Sequence, residues 1–87
     1  MDEILLKKMK QKIQDTISNK DEIKQLIQFL SNIDDSQSFA LGIVVGRMYN
    51  SFYYQSKRIL NREPTKEEFQ EFLEFIKTKK SNLENLW

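Results

Sequence analysis

Arg47, Tyr54, Lys57, Arg58 and Arg62 stand in a stretch, Ser36 to Arg62, that holds no acidic residue and carries a formal charge of +4. Guanidinium groups fork onto phosphate oxygens, and phenol rings stack on bases. A basic edge interleaved with tyrosines is therefore suited to an anion or a single-stranded nucleic acid. A competing use lies immediately downstream. Glu63, Glu67, Glu68, Glu71 and Glu74 follow, so a chain that folds back on itself would neutralise the same cations internally. Arg47 is set apart from the rest: one turn from both Ile43 and Ser51, it reads as an arginine at a buried edge, where it can anchor hydrogen bonds.

Catalytic chemistry is poorly provided for. The chain has no Cys and no His, which removes disulfides, thiolate metal sites, the usual zinc ligands and the usual general base. Asp34 and Asp35 lack the alternating oxygen ligands, central Gly and closing Glu of a calcium loop, and read as a turn. The remaining carboxylates fall on solvated helix faces, with no pair forced into one environment and no glycine loop following a strand. The expectation is a protein that is not an enzyme and uses no metal or cofactor.

The second chemical feature is steric. Gly42 and Gly46, the only glycines, are spaced one helical turn apart, and each costs about 1 kcal/mol relative to Ala inside a helix. Close backbone approach by another helix is the physical return for that cost. Tyr49 and Tyr53 continue along the same edge. Packing against the chain's own helices is one way to fill this groove, and a second copy of the chain is another. Gly42, Gly46, Tyr49, Tyr53, Phe75 and Trp87 form the candidate interface, Phe75 because it falls off its helix's apolar stripe and Trp87 as a terminal anchor.

Helices must position all of these residues. Leu5 or Leu6, Met9, Ile13 and Ile17 recur at helical spacing and predict a first helix over about 3–18, with Lys7, Lys8, Lys10 and Lys12 on its solvated face. Asn19 with Glu22 has capping-box spacing and predicts a second helix over about 21–33, with Ile23, Leu26, Ile27, Leu30 and Ile33 as its stripe and Phe29 widening it. Ser36 or Ser38 is placed to cap a long third helix over about 37–62. Its N-terminal half is apolar nearly all round, so it should be central, with Leu41, Val45, Met48, Phe52 and Ile59 as its main buried stripe. Thr65 with Glu68, preceded by Pro64, predicts a fourth helix over about 65–80 burying Phe69, Phe72, Leu73 and Ile76. The tail, 81–87, either extends that helix or frays. The phrase Leu60 to Glu68, LNREPTKEE, resembles a short stretch in the middle region of bacterial sigma factors, where it opens a helix. A helix start is all that the resemblance implies.

These elements make one all-α domain, a four-helix up-and-down bundle around a long third helix. A chain of 87 residues buries a smaller share of its surface than a larger domain does, and without disulfides or metals oligomerisation is the remaining route to a larger core. The net charge of +1 gives no general attraction to nucleic acid or anionic lipid. No segment reaches the roughly 20 apolar residues that span a bilayer. Asp2 and Glu3 precede the first helix where a secretory leader would be basic, so a cytoplasmic location is expected. The functional expectation is a helical protein-interaction module, a homodimer. The alternative is a small nucleic-acid-binding or transcription-regulatory protein using the basic edge of the third helix.

Overall fold

The computed structural model describes residues 1–84, and the expectation placed on Trp87 lies outside them. Four helices follow one another: α1 (Glu3–Ser18), α2 (Lys20–Leu30), α3 (Ser36–Leu60) and α4 (Lys66–Glu84). There is no strand among the described residues. The protein is all-α, and α3 is its longest and central helix, with α1, α2 and α4 each packed on it. No described helix is long and apolar enough to cross a membrane.

Helix boundaries follow local chemistry. Asp2 caps α1, its carboxylate accepting from the amides of Ile4 and Leu5 at 3.0 Å each. Asp35 caps α3, accepting from the Ser38 amide at 3.0 Å and the Ser38 hydroxyl at 2.8 Å. These two donors hold its carboxyl below the usual range. The cap was expected at Ser36 or Ser38. Asp35 takes the role because a carboxylate is the stronger acceptor for amides at the positive end of a helix.

The predicted capping box of Asn19 and Glu22 does not form. The Asn19 side chain turns back to donate to the Asp15 carbonyl at 2.8 Å, closing α1 instead of opening α2. Helix α2 stops at Leu30, three residues short of the expected Ile33, because Ser31 and Asn32 both take φ of 54°. Left-handed backbone ends the α-helical hydrogen-bond ladder. Helix α3 ends at Leu60 where Asn61 adopts the left-handed conformation, φ 58°, so Asn61 and Arg62 lie beyond it. Helix α4 runs past the expected Lys80 to Glu84, which brings Leu83 into full burial.

Helices α3 and α4 are antiparallel. Gln37 at the start of α3 donates to the Glu84 carbonyl at the end of α4 at 2.8 Å, while Arg62 beyond the end of α3 meets Glu68 in the first turn of α4. Leu5, Met9 and Ile13 of α1, Ala40, Val44, Met48 and Phe52 of α3, and Phe72 and Leu83 of α4 form the core, joined from α2 by Ile23 alone. Phe52 and Phe72 stack with ring centroids 4.5 Å apart. The α3 stripe is rotated from expectation: Ala40, Val44, Met48, Phe52 and Ser56 are buried, while Leu41, Val45 and Ile59 are only half-buried. Ala40 and Ser56 are small enough to be covered completely where the neighbouring helices pack on α3.

The expected capping box of Thr65 and Glu68 is present. The Thr65 amide donates to Glu68 Oε1 at 2.8 Å, and the Glu68 amide to Thr65 Oγ1 at 3.2 Å. Arg62 adds two bonds to the same carboxylate, at 2.6 and 3.2 Å. Arg62 first, and then the Thr65 amide, hold the Glu68 carboxyl at about 2 against an ordinary 4.5. A depressed carboxyl contributes stability that is complete above its unfolded pKa and is lost as pH falls through the folded one. The contribution should therefore disappear between pH 4.5 and about 2. We expect Glu68→Gln to cost about 1 kcal/mol at neutral pH and to flatten the acid limb of the stability curve across that window, as read by denaturant melts.

Candidate functional site

The chain is more extended than a compact domain of its length. The molecule measures 41 × 20 × 19 Å with a radius of gyration of 13.9 Å, where about 12 Å is typical for this length. It exposes 6102 Å², against roughly 5400 Å² expected for a folded monomer of its mass.

The glycine edge of α3 is part of that open surface. Among the described residues, a Cβ built on Gly42 or Gly46 meets nothing within 4 Å. Packing by the chain's own helices therefore does not explain the pair. Phe39, Gly42, Gly46 and Asn50 follow at three-to-four-residue spacing on the exposed side of α3, with the half-buried Tyr53 at its border against the core. Phe39 is 38% exposed and Tyr49 45% exposed, so aromatic surface flanks the glycines.

Neighbouring helices frame this face. Tyr49 sets its ring edge-on to Phe69 and Phe72 of α4, with centroids 6.1 and 6.2 Å away, and lies 5.1 Å from Tyr53. The two tyrosines are thereby fixed by aromatic contacts while one side of each stays open. Toward α2, Leu26, Phe29 and Ile43 border a groove of about 520 Å³. Phe29 is 87% exposed, and Leu26 and Leu30 are each nearly half exposed. The α2 stripe expected in the core is thus split: Ile23 is buried and Ile27 and Ile33 half-buried, while Leu26, Phe29 and Leu30 are at the surface. Its signal in the sequence was the unbroken apolar spacing, which marks a face to be covered without saying by what.

Phe75 is not brought to this face. It is half-buried and shares a groove with Met1 and with Leu6 of α1, on the side of α4 away from Leu73, which borders Leu41 and Val45 of α3 but is exposed and not buried as expected. Lys79 sits above its ring, 5.8 Å from the centroid.

The five residues of the basic edge separate into two groups. Arg62 is committed to Glu68, and Lys57 lies 3.6 Å from Glu63 in an exposed pair. Internal neutralisation therefore takes the end of α3, as the run of glutamates suggested. Arg47 and Tyr54 instead line a polar cleft between α1 and α3 of about 470 Å³, bordered also by Lys8, Gln11, Lys12 and Asp15. Arg58 is exposed one turn beyond Tyr54. The half-buried Arg47 makes no side-chain hydrogen bond or ion pair among the described residues, contrary to the anchoring expected of it. Sequence reasoning missed the part that Lys8 and Lys12 play here. Their spacing of four residues places them together on α1, and nothing in a single helix reveals that Arg47 stands opposite. Among the described residues no group of His, Cys, Asp or Glu is arranged to hold a metal ion.

No protein-family model, curated protein or solved structure matches this chain.

Proposed function

We propose that the protein is a helical interaction module that pairs with a second copy of itself through the glycine face of α3. The observation that carries this reading is the open space over Gly42 and Gly46 in the longest, central helix. Two glycines that together cost about 2 kcal/mol in helix propensity need a compensating contact, and none of the described residues supplies it.

A second copy suits the face for three reasons. Phe39, Gly42, Ile43, Gly46, Tyr49, Asn50 and Tyr53 carry no formal charge, and the groove toward α2 adds one carboxylate and one cation, Glu22 and Arg47, so two such faces meet without net like charge. The face contains both a groove, at the glycines, and ridges, at Phe39 and Tyr49, as an isologous contact requires of one patch. The small core leaves an apolar margin on α2 that the same contact would cover, and burying Leu26 and Phe29 adds to the hydrophobic driving force.

Light scattering on an eluting column across a dilution series tests the proposal. The native chain should run as a dimer that dissociates on dilution, and Gly46→Leu, whose side chain fills the groove, should remain monomeric with an unchanged helical spectrum. A native chain that stays monomeric at high concentration, or a Gly46→Leu variant that dimerises equally well, contradicts it. In a monomer, Gly46→Ala should raise stability by about 1 kcal/mol, since alanine is the better helix former and meets no neighbour.

A further inference from the structure

We infer that the cleft between α1 and α3 is a binding site for a nucleoside phosphate, either free or as a unit of a single strand. The cleft opens on the α1 side of α3 and shares Asn50 with the glycine face and Arg47 with the groove beside α2, while Lys8 and Lys12 lie on α1, outside both. One wall carries Lys8 and Lys12 from α1, and the other carries Arg47 and Tyr54 from α3. Asp15 is the single acid in the lining, leaving a formal excess of two positive charges, from three cations less one carboxylate.

Three features point to a phosphate. The cations come from separate helices and converge on one concavity, so the fold accepts their mutual repulsion. None of Lys8, Lys12 and Arg47 takes part in an ion pair among the described residues, whereas Lys57 and Arg62 near the end of α3 are paired with glutamates. A half-buried guanidinium without a partner is costly to keep, and an anion that forks onto it removes the cost. The lining is polar throughout, with Gln11, Asn50, Ser51 and Gln55 completing it, as suits a solvated anion and not an apolar ligand.

The nucleoside half of the ligand rests on Tyr54. Its ring is 58% exposed beside the cations, and an exposed phenol next to a phosphate site offers a stacking platform for a base. The cleft's volume, about 470 Å³, falls within the range of small-ligand sites.

The test is a fluorescence or calorimetric titration of the full chain at low salt with three probes: inorganic phosphate, adenosine triphosphate and a short oligothymidylate. The expected result is saturable binding of at least one nucleotide probe, much weaker binding of phosphate, and a fall in affinity with salt. Three phosphate contacts on a strand give a slope of about −2 in log affinity against log salt. Lys12→Gln combined with Arg47→Gln should weaken binding at least tenfold, and Tyr54→Leu should weaken the nucleotide probes but not phosphate. Should the Arg47 variant fail to fold, Lys8→Gln with Lys12→Gln replaces it, at an exposed and a half-buried position of α1. Binding of the oligonucleotide alone identifies the strand as the source, and binding of the triphosphate identifies the free nucleotide. Absence of binding to both nucleotide probes overturns the inference, as does equal affinity for inorganic phosphate or binding untouched by these substitutions.

Discussion

Phe52→Ala should come close to unfolding the protein. Phe52 is fully buried at the middle of α3 and stacks on Phe72 of α4 at 4.5 Å. It is also edge-on to Tyr53, with centroids 5.9 Å apart. Truncation removes the transfer free energy of the ring and leaves a cavity between rigid helices, together about 3–5 kcal/mol. A domain of this size has a total stability of the order of 4–13 kcal/mol, so the loss is a large fraction of it. In a thermal melt at fixed protein concentration the midpoint should drop by more than about 15 °C, or no cooperative transition should remain. Phe75→Ala removes a side chain of the same type and should cost clearly less, because Phe75 is only half-buried.

Phe29→Ser should have the opposite profile, with a small effect on folding and a large one on association. At 87% exposure the ring contributes little to the single chain, and its loss should leave the melt of a dilute sample nearly unchanged. If the α2 margin is covered by a second copy, each buried Phe contributes about 1.5–3 kcal/mol, and the symmetric contact loses two. The dimer dissociation constant should rise between about a hundredfold and ten-thousandfold, as measured by sedimentation equilibrium. A stability loss without a change in association would place Phe29 in folding, not pairing.

The elements were legible wherever side chains closed their own local bonds. Thr65 and Glu68 form the expected reciprocal cap, and the chain from Pro64 onward follows it. The limits of α1 match its apolar spacing. The start of α2 was less legible because Asn19 has two local options, the amides ahead or the Asp15 carbonyl behind, and sequence spacing does not rank them. The end of α2 depends on left-handed backbone at Ser31 and Asn32, which neither residue type demands.

The buried face of α3 was only partly legible. Its N-terminal half is apolar on several sides, so periodicity leaves the phase loose, and the small Ala40 and Ser56 are covered completely while Leu41, Val45 and Ile59 are only half-buried. Gly42 and Gly46 were legible as a groove, but spacing alone does not say whether the chain fills it. The polar cleft was the least legible part of the surface. It exists only because the packing of α1 on α3 sets Lys8 and Lys12 across a cleft from Arg47, residues far apart in sequence.

The absence of cysteine from the chain allows the central claim to be tested directly by a single introduced thiol. A disulfide forms only when two Cα atoms come within about 4.4–6.8 Å, and two α3 helices crossing at their glycines bring Gly46 near its own counterpart. Gly46→Cys under mild oxidation should yield a covalent dimer rapidly and at low protein concentration, while Ser81→Cys, exposed near the far end of α4, should not. Equal and slow cross-linking of the two variants would contradict pairing through the glycine face.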